Sequence, residues 1–223
     1  MSAEPSAIPA AARLRITETF LSLQGEANAV GWPSFFIRLT GCPLRCQYCD
    51  TAYAFHGGEW RTVARLVDEA RESRARHVCV TGGEPLAQKP CTALLADLCK
   101  AGFEVSLETS GAIDASAVDP RVSRVIDVKT PGSGEAHRTL DLATHGLRAS
   151  DQLKFVICDR ADYEWSRARV QLERLDGRCQ VLFSPSYRQL EAGQLANWIL
   201  ADRLPVRFQV QLHKLLWGDV PGR

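Results

Sequence analysis

Cys42-Pro43-Leu44-Arg45-Cys46-Gln47-Tyr48-Cys49, followed by Asp50-Thr51, holds three cysteines in one short loop, with three and then two residues between them. Such a loop can wrap its thiolates around one face of a metal cluster, and no fourth ligand follows at a chelating spacing. A structural zinc ion is normally closed by four protein ligands, whereas three thiolates leave one iron of an iron–sulfur cluster open to a small molecule. Taken alone, the trio also reads as a zinc knuckle, as half of a larger metal site, or as buried thiols.

The flanking sequence says what carries the loop. Ser34 to Thr40 is a strand with Phe35-Phe36-Ile37-Arg38-Leu39 at its centre, and it delivers Gly41 and Cys42 at its C-terminal end. Arg38 is a charge inside an apolar run, so it needs a core acid or an anionic ligand such as a carboxylate. Downstream, Thr62 to Ser73 has helical spacing of Val63, Leu66, Val67 and Ala70. The strand His77-Val78-Cys79-Val80 runs into Thr81-Gly82-Gly83-Glu84-Pro85, where two glycines let the backbone come close to a ligand. The alternation continues with a helix over Leu94 to Ala101, a strand over Phe103 to Glu108, and a strand over Val122 to Val128 that runs into Lys129. Leu153 to Cys158, Gln180 to Phe183 and Val206 to Leu212 read as further strands, with helices over Tyr163 to Leu175 and Leu190 to Arg203. The fold class is α/β, an incomplete (open) parallel β/α barrel of about six strands, with ligands gathered at the C-terminal strand ends. Upstream, alternating apolar residues from Arg13 through Ile16, Phe20 and Leu23 lead to Gln24-Gly25-Glu26. Residues 1–12, rich in Ala, Pro and Ser, read as a disordered extension, and 13–223 as one domain.

Composition narrows the function. A formal net charge of +1 gives no basic field for nucleic acid. With no signal peptide and no apolar run long enough to span a membrane, the eight cysteines point to a reducing cytoplasm. Cys79, Cys91, Cys99, Cys158 and Cys179 repeat no chelating spacing and read as core or half-exposed residues.

The three-cysteine loop, with an aromatic residue before its last cysteine, resembles the radical S-adenosylmethionine superfamily. Leu23-Gln24-Gly25-Glu26, Arg38, Cys49-Asp50-Thr51, Thr81-Gly82-Gly83-Glu84-Pro85, Glu108-Thr109-Ser110-Gly111, Asp127-Val128-Lys129 and Gln211-Leu212-His213-Lys214 together resemble, in order and spacing, the 7-carboxy-7-deazaguanine synthase family. The resemblance implies a ring contraction of 6-carboxy-5,6,7,8-tetrahydropterin with loss of ammonia, on the route to queuosine and other deazapurines. It implies a [4Fe-4S] cluster on Cys42, Cys46 and Cys49, S-adenosyl-L-methionine at its open iron, and Mg2+ at Thr51. Cofactor contacts would come from Tyr48, Cys49, Asp50, Gly83, Glu84, Asp127, Val128, Lys129, Ser184, Pro185, Ser186 and Tyr187. Substrate contacts would come from Leu23, Gln24, Gly25, Glu26, Arg38, Thr81 and His213. A flavodoxin or ferredoxin as electron donor, and a homodimer, are further implications. Ala27 stands where relatives often have glycine, and the chain continues past His213-Lys214 where some relatives end. A radical activase acting on a partner protein shares the cluster motif, and a zinc-binding interaction module is the alternative from another class.

Overall fold

The structure is a computed structural model describing residues 12–222. One sheet organises them, in the order β3-β1-β2-β4-β5-β6-β7-β8-β9. Its strands are β1 (Arg13–Leu23), β2 (Pro33–Leu39), β3 (Glu59–Thr62), β4 (His77–Gly82), β5 (Glu104–Thr109), β6 (Ser123–Asp127), β7 (Gln152–Ile157), β8 (Gln180–Pro185) and β9 (Arg207–Phe208). The run from β2 through β4 to β9 is parallel, whereas β1 is antiparallel to both β2 and β3. The strand order has two free ends, so the barrel is open.

Among the described residues four α-helices cover the outside, α1 (Val63–Glu72), α2 (Cys91–Lys100), α3 (Arg160–Leu172) and α4 (Ala192–Asp202), and a fifth, α5 (Leu212–Trp217), lies against the cavity. The stripe Val63, Leu66, Val67 and Ala70 buries one face of α1, and Thr62 caps its start by accepting from the Arg65 N–H at 3.2 Å. Against α1 and α2 pack Ile37, Leu39, Val78, Val80, Val105 and Leu107; Leu153, Phe155, Ile157, Val181 and Phe183 form a second apolar layer with Tyr163, Leu195 and Ile199. Because side chains alternate across a strand, the inner positions are left to other residues. They are Phe36 and Arg38, Thr81, Glu108, Val125 and Asp127, and Lys154 and Val156. The sheet is therefore apolar outside and largely polar within.

The structure extends the expected sheet and corrects its last strand. The six expected parallel strands are β2 and β4 to β8, and the sheet reaches nine because β1 and β3 join it antiparallel and the two-residue β9 follows β8. Four residues, Glu59-Trp60-Arg61-Thr62, form β3 by pairing with the start of β1, a tertiary partnership that so short and polar a segment does not announce. The apolar run Val206 to Leu212 contributes only Arg207–Phe208 to the sheet; Leu212 opens α5, so His213 and Lys214 ride on a short helix instead of a strand end. Residues 1–11 of the expected disordered extension lie outside the described residues, while the Ala12 carbonyl accepts from the Val63 N–H at 3.0 Å.

The antiparallel direction of β1 matters for the site. Leu23 pairs with Pro33 at the start of β2, whereas Cys42 follows the end of β2. The Gln24–Glu26 turn thus enters the barrel from the end opposite the cysteine loop.

Candidate active site

The two loops face each other across one cavity of about 380 Å³, within the range of small-molecule sites. Cys42, Cys46 and Cys49 all line it, and all three are free thiols. Burial pushes each thiol up, that of Cys46 to about 11, so ionising them there calls for a bound cation. The loop is held open around them. The Arg45 N–H donates to Glu135 at 2.6 Å, the Arg45 guanidinium donates to the Cys42 and Leu44 carbonyls, and the Gln47 N–H donates to the Ser133 carbonyl. Among the described residues no three His, Cys, Asp or Glu side chains already converge as a metal-ion site. The fit therefore rests on the donor set. Three unpaired thiols on one wall suit an iron–sulfur cluster with one iron left open.

Around this wall lie polar atoms with nothing to bind. Among the described residues the Tyr48 hydroxyl and Asp127 Oδ1 are buried without a hydrogen-bond partner, a costly condition that a ligand can relieve. Lys129 Nζ lies 5.6 Å from the centre of the Tyr48 ring and 3.0 Å from Asp127 Oδ2. Gly83 lets β4's end approach the cysteine loop: a Cβ there would overlap the Gly41 carbonyl and Cys42 Cβ. Ser186 and Tyr187 line the cavity beside Arg188.

Leu23, Gln24, Gly25 and Glu26 form part of the opposite wall. Gln24 Oε1 accepts from the Gly25 N–H at 2.8 Å, which turns its amide nitrogen toward Glu108 at 3.4 Å. Thr81 Oγ1 donates to the other Glu108 oxygen at 3.4 Å. Burial and the neighbouring Glu26 hold the Glu108 carboxyl above its usual range. Burial also penalises Glu26, but the Lys154 ammonium at 2.7 Å and Gln211 Nε2 at 2.8 Å outweigh it and lower that carboxyl. Arg38 combines the two roles open to it: its Nε donates to Glu18 at 2.7 Å, while among the described residues its terminal nitrogens have no hydrogen-bond partner.

The C-terminal segment completes the enclosure. The Leu212 N–H donates to the Gly25 carbonyl at 3.0 Å, and His213 sits so close that a Cβ on Gly25 would overlap its ring. Burial lowers the His213 value and favours a neutral imidazole. Lys214 Nζ lies 2.7 Å from Asp219 and 3.3 Å from Asp50, so the chain beyond His213-Lys214 reaches the cavity wall. Thr51 lines the same rim, its hydroxyl donating to Asp50 at 2.8 Å. Ala27 adopts φ 63°, the left-handed conformation that glycine takes without cost, and is fastened by Gln209 accepting from its N–H at 2.6 Å.

Four expected cofactor residues do not line the cavity. Glu84 is fully buried and its carboxylate is consumed by Thr109 Oγ1, the Ser110 N–H and hydroxyl, and the Leu86 N–H, so it braces the end of β4 against the end of β5. Val128 packs in the outer apolar layer, and Ser184 and Pro185 are buried in β8 short of the wall. Sequence reasoning gave no role to Glu108, Lys154, Gln211 or Asp219, all of which line it.

Comparison with known proteins agrees with this geometry. Residues 36–129 match the Radical SAM superfamily. A 7-carboxy-7-deazaguanine synthase of Chlorobaculum tepidum is 42% identical over 93% of this chain and 96% of its own length. The chain belongs to the 7-carboxy-7-deazaguanine synthase family. Synthases of Koribacter versatilis and Thermoplasma acidophilum are 37% and 34% identical, over 92% and 93% of this chain and 97% and 99% of theirs. The crystal structure of QueE from Escherichia coli shares the fold, with a TM-score of 0.71 at 24% identity over 90% of this chain and 95% of that one. Membership of this family makes the chain a radical S-adenosylmethionine enzyme of deazapurine biosynthesis, catalysing a radical ring contraction.

Proposed function

We propose that the chain converts 6-carboxy-5,6,7,8-tetrahydropterin into 7-carboxy-7-deazaguanine and ammonia, using a [4Fe-4S] cluster, S-adenosyl-L-methionine and Mg2+. The observation that carries the reading is the two-ended cavity: three free thiols and two unfilled polar atoms on one wall, an amide and two acids on the other. Cys42, Cys46 and Cys49 would hold the cluster. Asp127 Oδ1 and the Tyr48 hydroxyl would receive the cofactor, with the Gly83 backbone beside its methionine end. When bound, the cluster and cofactor supply hydrogen-atom abstraction and its return.

The protein's own residues bind and orient. Gln24, Glu26 and Glu108 offer the mixed donors and acceptors that an aminopyrimidinone displays, and the free Arg38 nitrogens suit a carboxylate. Thr51 Oγ1, beside Asp50, would ligate magnesium together with the substrate carboxylate and water. His213 and Thr81 add neutral hydrogen bonds, and α5 excludes water. Orientation is the main demand, since a reactive carbon radical attacks whatever lies nearest.

The family relationship supports a homodimer and a flavodoxin or ferredoxin donor, and eight free cysteines suit a reducing cytoplasm. Among the described residues no helix is long and apolar enough to cross a membrane. Residues 13–223 are read as one domain on the strength of the single sheet. Nothing in the cavity favours a radical activase or a zinc module over a small-molecule enzyme. The deciding experiment is anaerobic incubation of the reconstituted protein with the tetrahydropterin, S-adenosylmethionine, a reductant, and magnesium present or withheld. Mass analysis should find the deazaguanine acid, with faster turnover when magnesium is present; an unchanged pterin beside cleaved cofactor defeats the substrate assignment.

A further inference from the structure

Lys154 stands in the middle of β7, buried, on the inner face of the sheet. Its ammonium lies 2.7 Å from Glu26 Oε2 and 3.5 Å from Asp127 Oδ2. These acids come from opposite sides of the site: Glu26 from the turn after β1, and Asp127 from the end of β6, where it pairs in register with Lys154. Asp127 Oδ2 is shared with Lys129, which faces Tyr48 in the cysteine loop. Polar contacts therefore run from Gln211 through Glu26, Lys154 and Asp127 to Lys129, whose ammonium faces the Tyr48 ring at 5.6 Å. Among the described residues Lys154 is the one lysine or arginine in ion-pair contact with Glu26.

We propose that Lys154 is a positioning residue that couples the two halves of the site, so that pterin and S-adenosylmethionine each bind more tightly when the other is present. The proposal rests on the pterin reading of Glu26. A ligand that fixes Glu26 fixes the ammonium pinned to it, and through that ammonium the carboxylate of Asp127, whose second oxygen is buried and unfilled. The second ligand then meets an acid already ordered and does not bear that entropy cost again. Linkage requires the effect to be reciprocal.

The test uses the cluster-loaded protein with magnesium and no reductant, so that nothing turns over, in anaerobic calorimetric titrations with each ligand alone and with the other saturating. In the wild-type chain each ligand should tighten the other about tenfold. Lys154→Met should bring both ratios to about one, and Lys154→Arg should keep most of the effect, because it keeps the charge. The double variant Lys154→Met with Glu26→Gln avoids leaving a buried acid unpaired and should also show a ratio of about one. A lysine that only supports the fold would weaken each ligand by the same factor with or without the other, preserving the ratio. A preserved ratio in either charge-removing variant, or no coupling in the wild type, overturns the proposal. If the wild type binds S-adenosylmethionine but not the pterin, the substrate reading fails, and the coupling falls with it. If both bind, only the lysine is on trial.

Discussion

Arg124 and Lys154 are buried cations on neighbouring strands, and they are finished to different degrees. Arg124 faces outward from β6 and is fully buried. Its Nε and one terminal nitrogen pair with both oxygens of Asp151, and the remaining donors reach the carbonyls of Ala115 at 2.7 Å, His145 at 2.9 Å and Gly146 at 2.9 Å. All five guanidinium N–H groups are used. Lys154 faces inward, its two acids come from the turn after β1 and the end of β6, and among the described residues Asp127 Oδ1 has no partner. A saturated buried charge ties segments together, whereas an unsaturated one on a cavity wall leaves capacity for a ligand. Burial alone does not separate the two cases.

The largest expected effect tests the first half of that contrast. Arg124→Met strands Asp151 in the core and should cost about 3–5 kcal/mol, lowering the melting temperature by roughly 10 °C in a chain of this size. Calorimetry measures the loss, and cofactor affinity of the folded fraction should stay as it was. A variant that melts like the wild type would remove the structural role given to Arg124. Asp127→Asn should do the reverse. One of its oxygens already lacks a partner, Lys154 keeps Glu26, and the amide oxygen of Asn can still accept from Lys129, so stability should fall less than with Arg124→Met. Losing a charge-assisted bond should still weaken S-adenosylmethionine binding about tenfold or more, read by anaerobic titration; undiminished affinity would take Asp127 out of the cofactor site.

The smallest effect is one of pH. Burial holds the His145 imidazole below its usual value, next to Arg124, while its Nδ1 accepts from the Ala115 N–H at 3.3 Å. The unfolded chain therefore binds the proton first, and stability present above about pH 6.5 declines as the pH falls toward the lowered native value. His213 acts in the same direction. Urea midpoints between neutral and mildly acid pH should fall in the wild type and fall less steeply in His145→Gln; parallel curves would mean that His145 titrates alike in both states.

Legibility followed locality. The cysteine loop is contiguous, and α1 repeats within ten residues, so both could be read directly. Arg38 was also legible, as a charge that an apolar strand cannot carry unpartnered. The same signal stood at Lys154 within Leu153 to Cys158 and went unused, because its partner Glu26 lies 128 residues away. Glu84 misled for the opposite reason. It follows two glycines suited to a ligand, yet Thr109 and Ser110, brought alongside by the pairing of β4 with β5, use up its carboxylate. The end of the chain misread as a strand because Val206 to Leu212 alternates well; what ends the strand at Phe208 is docking of α5 on Gly25, which periodicity does not register.

Since β1 runs against its neighbours, the proposed cluster loop and the proposed substrate turn enter one cavity from opposite ends of the barrel. Rewriting the turn after Leu23 together with the short helix that leans on it would be felt at the cysteine loop as well, because Glu26 is tied through Lys154 to Asp127 and Lys214 of that helix lies 3.3 Å from Asp50.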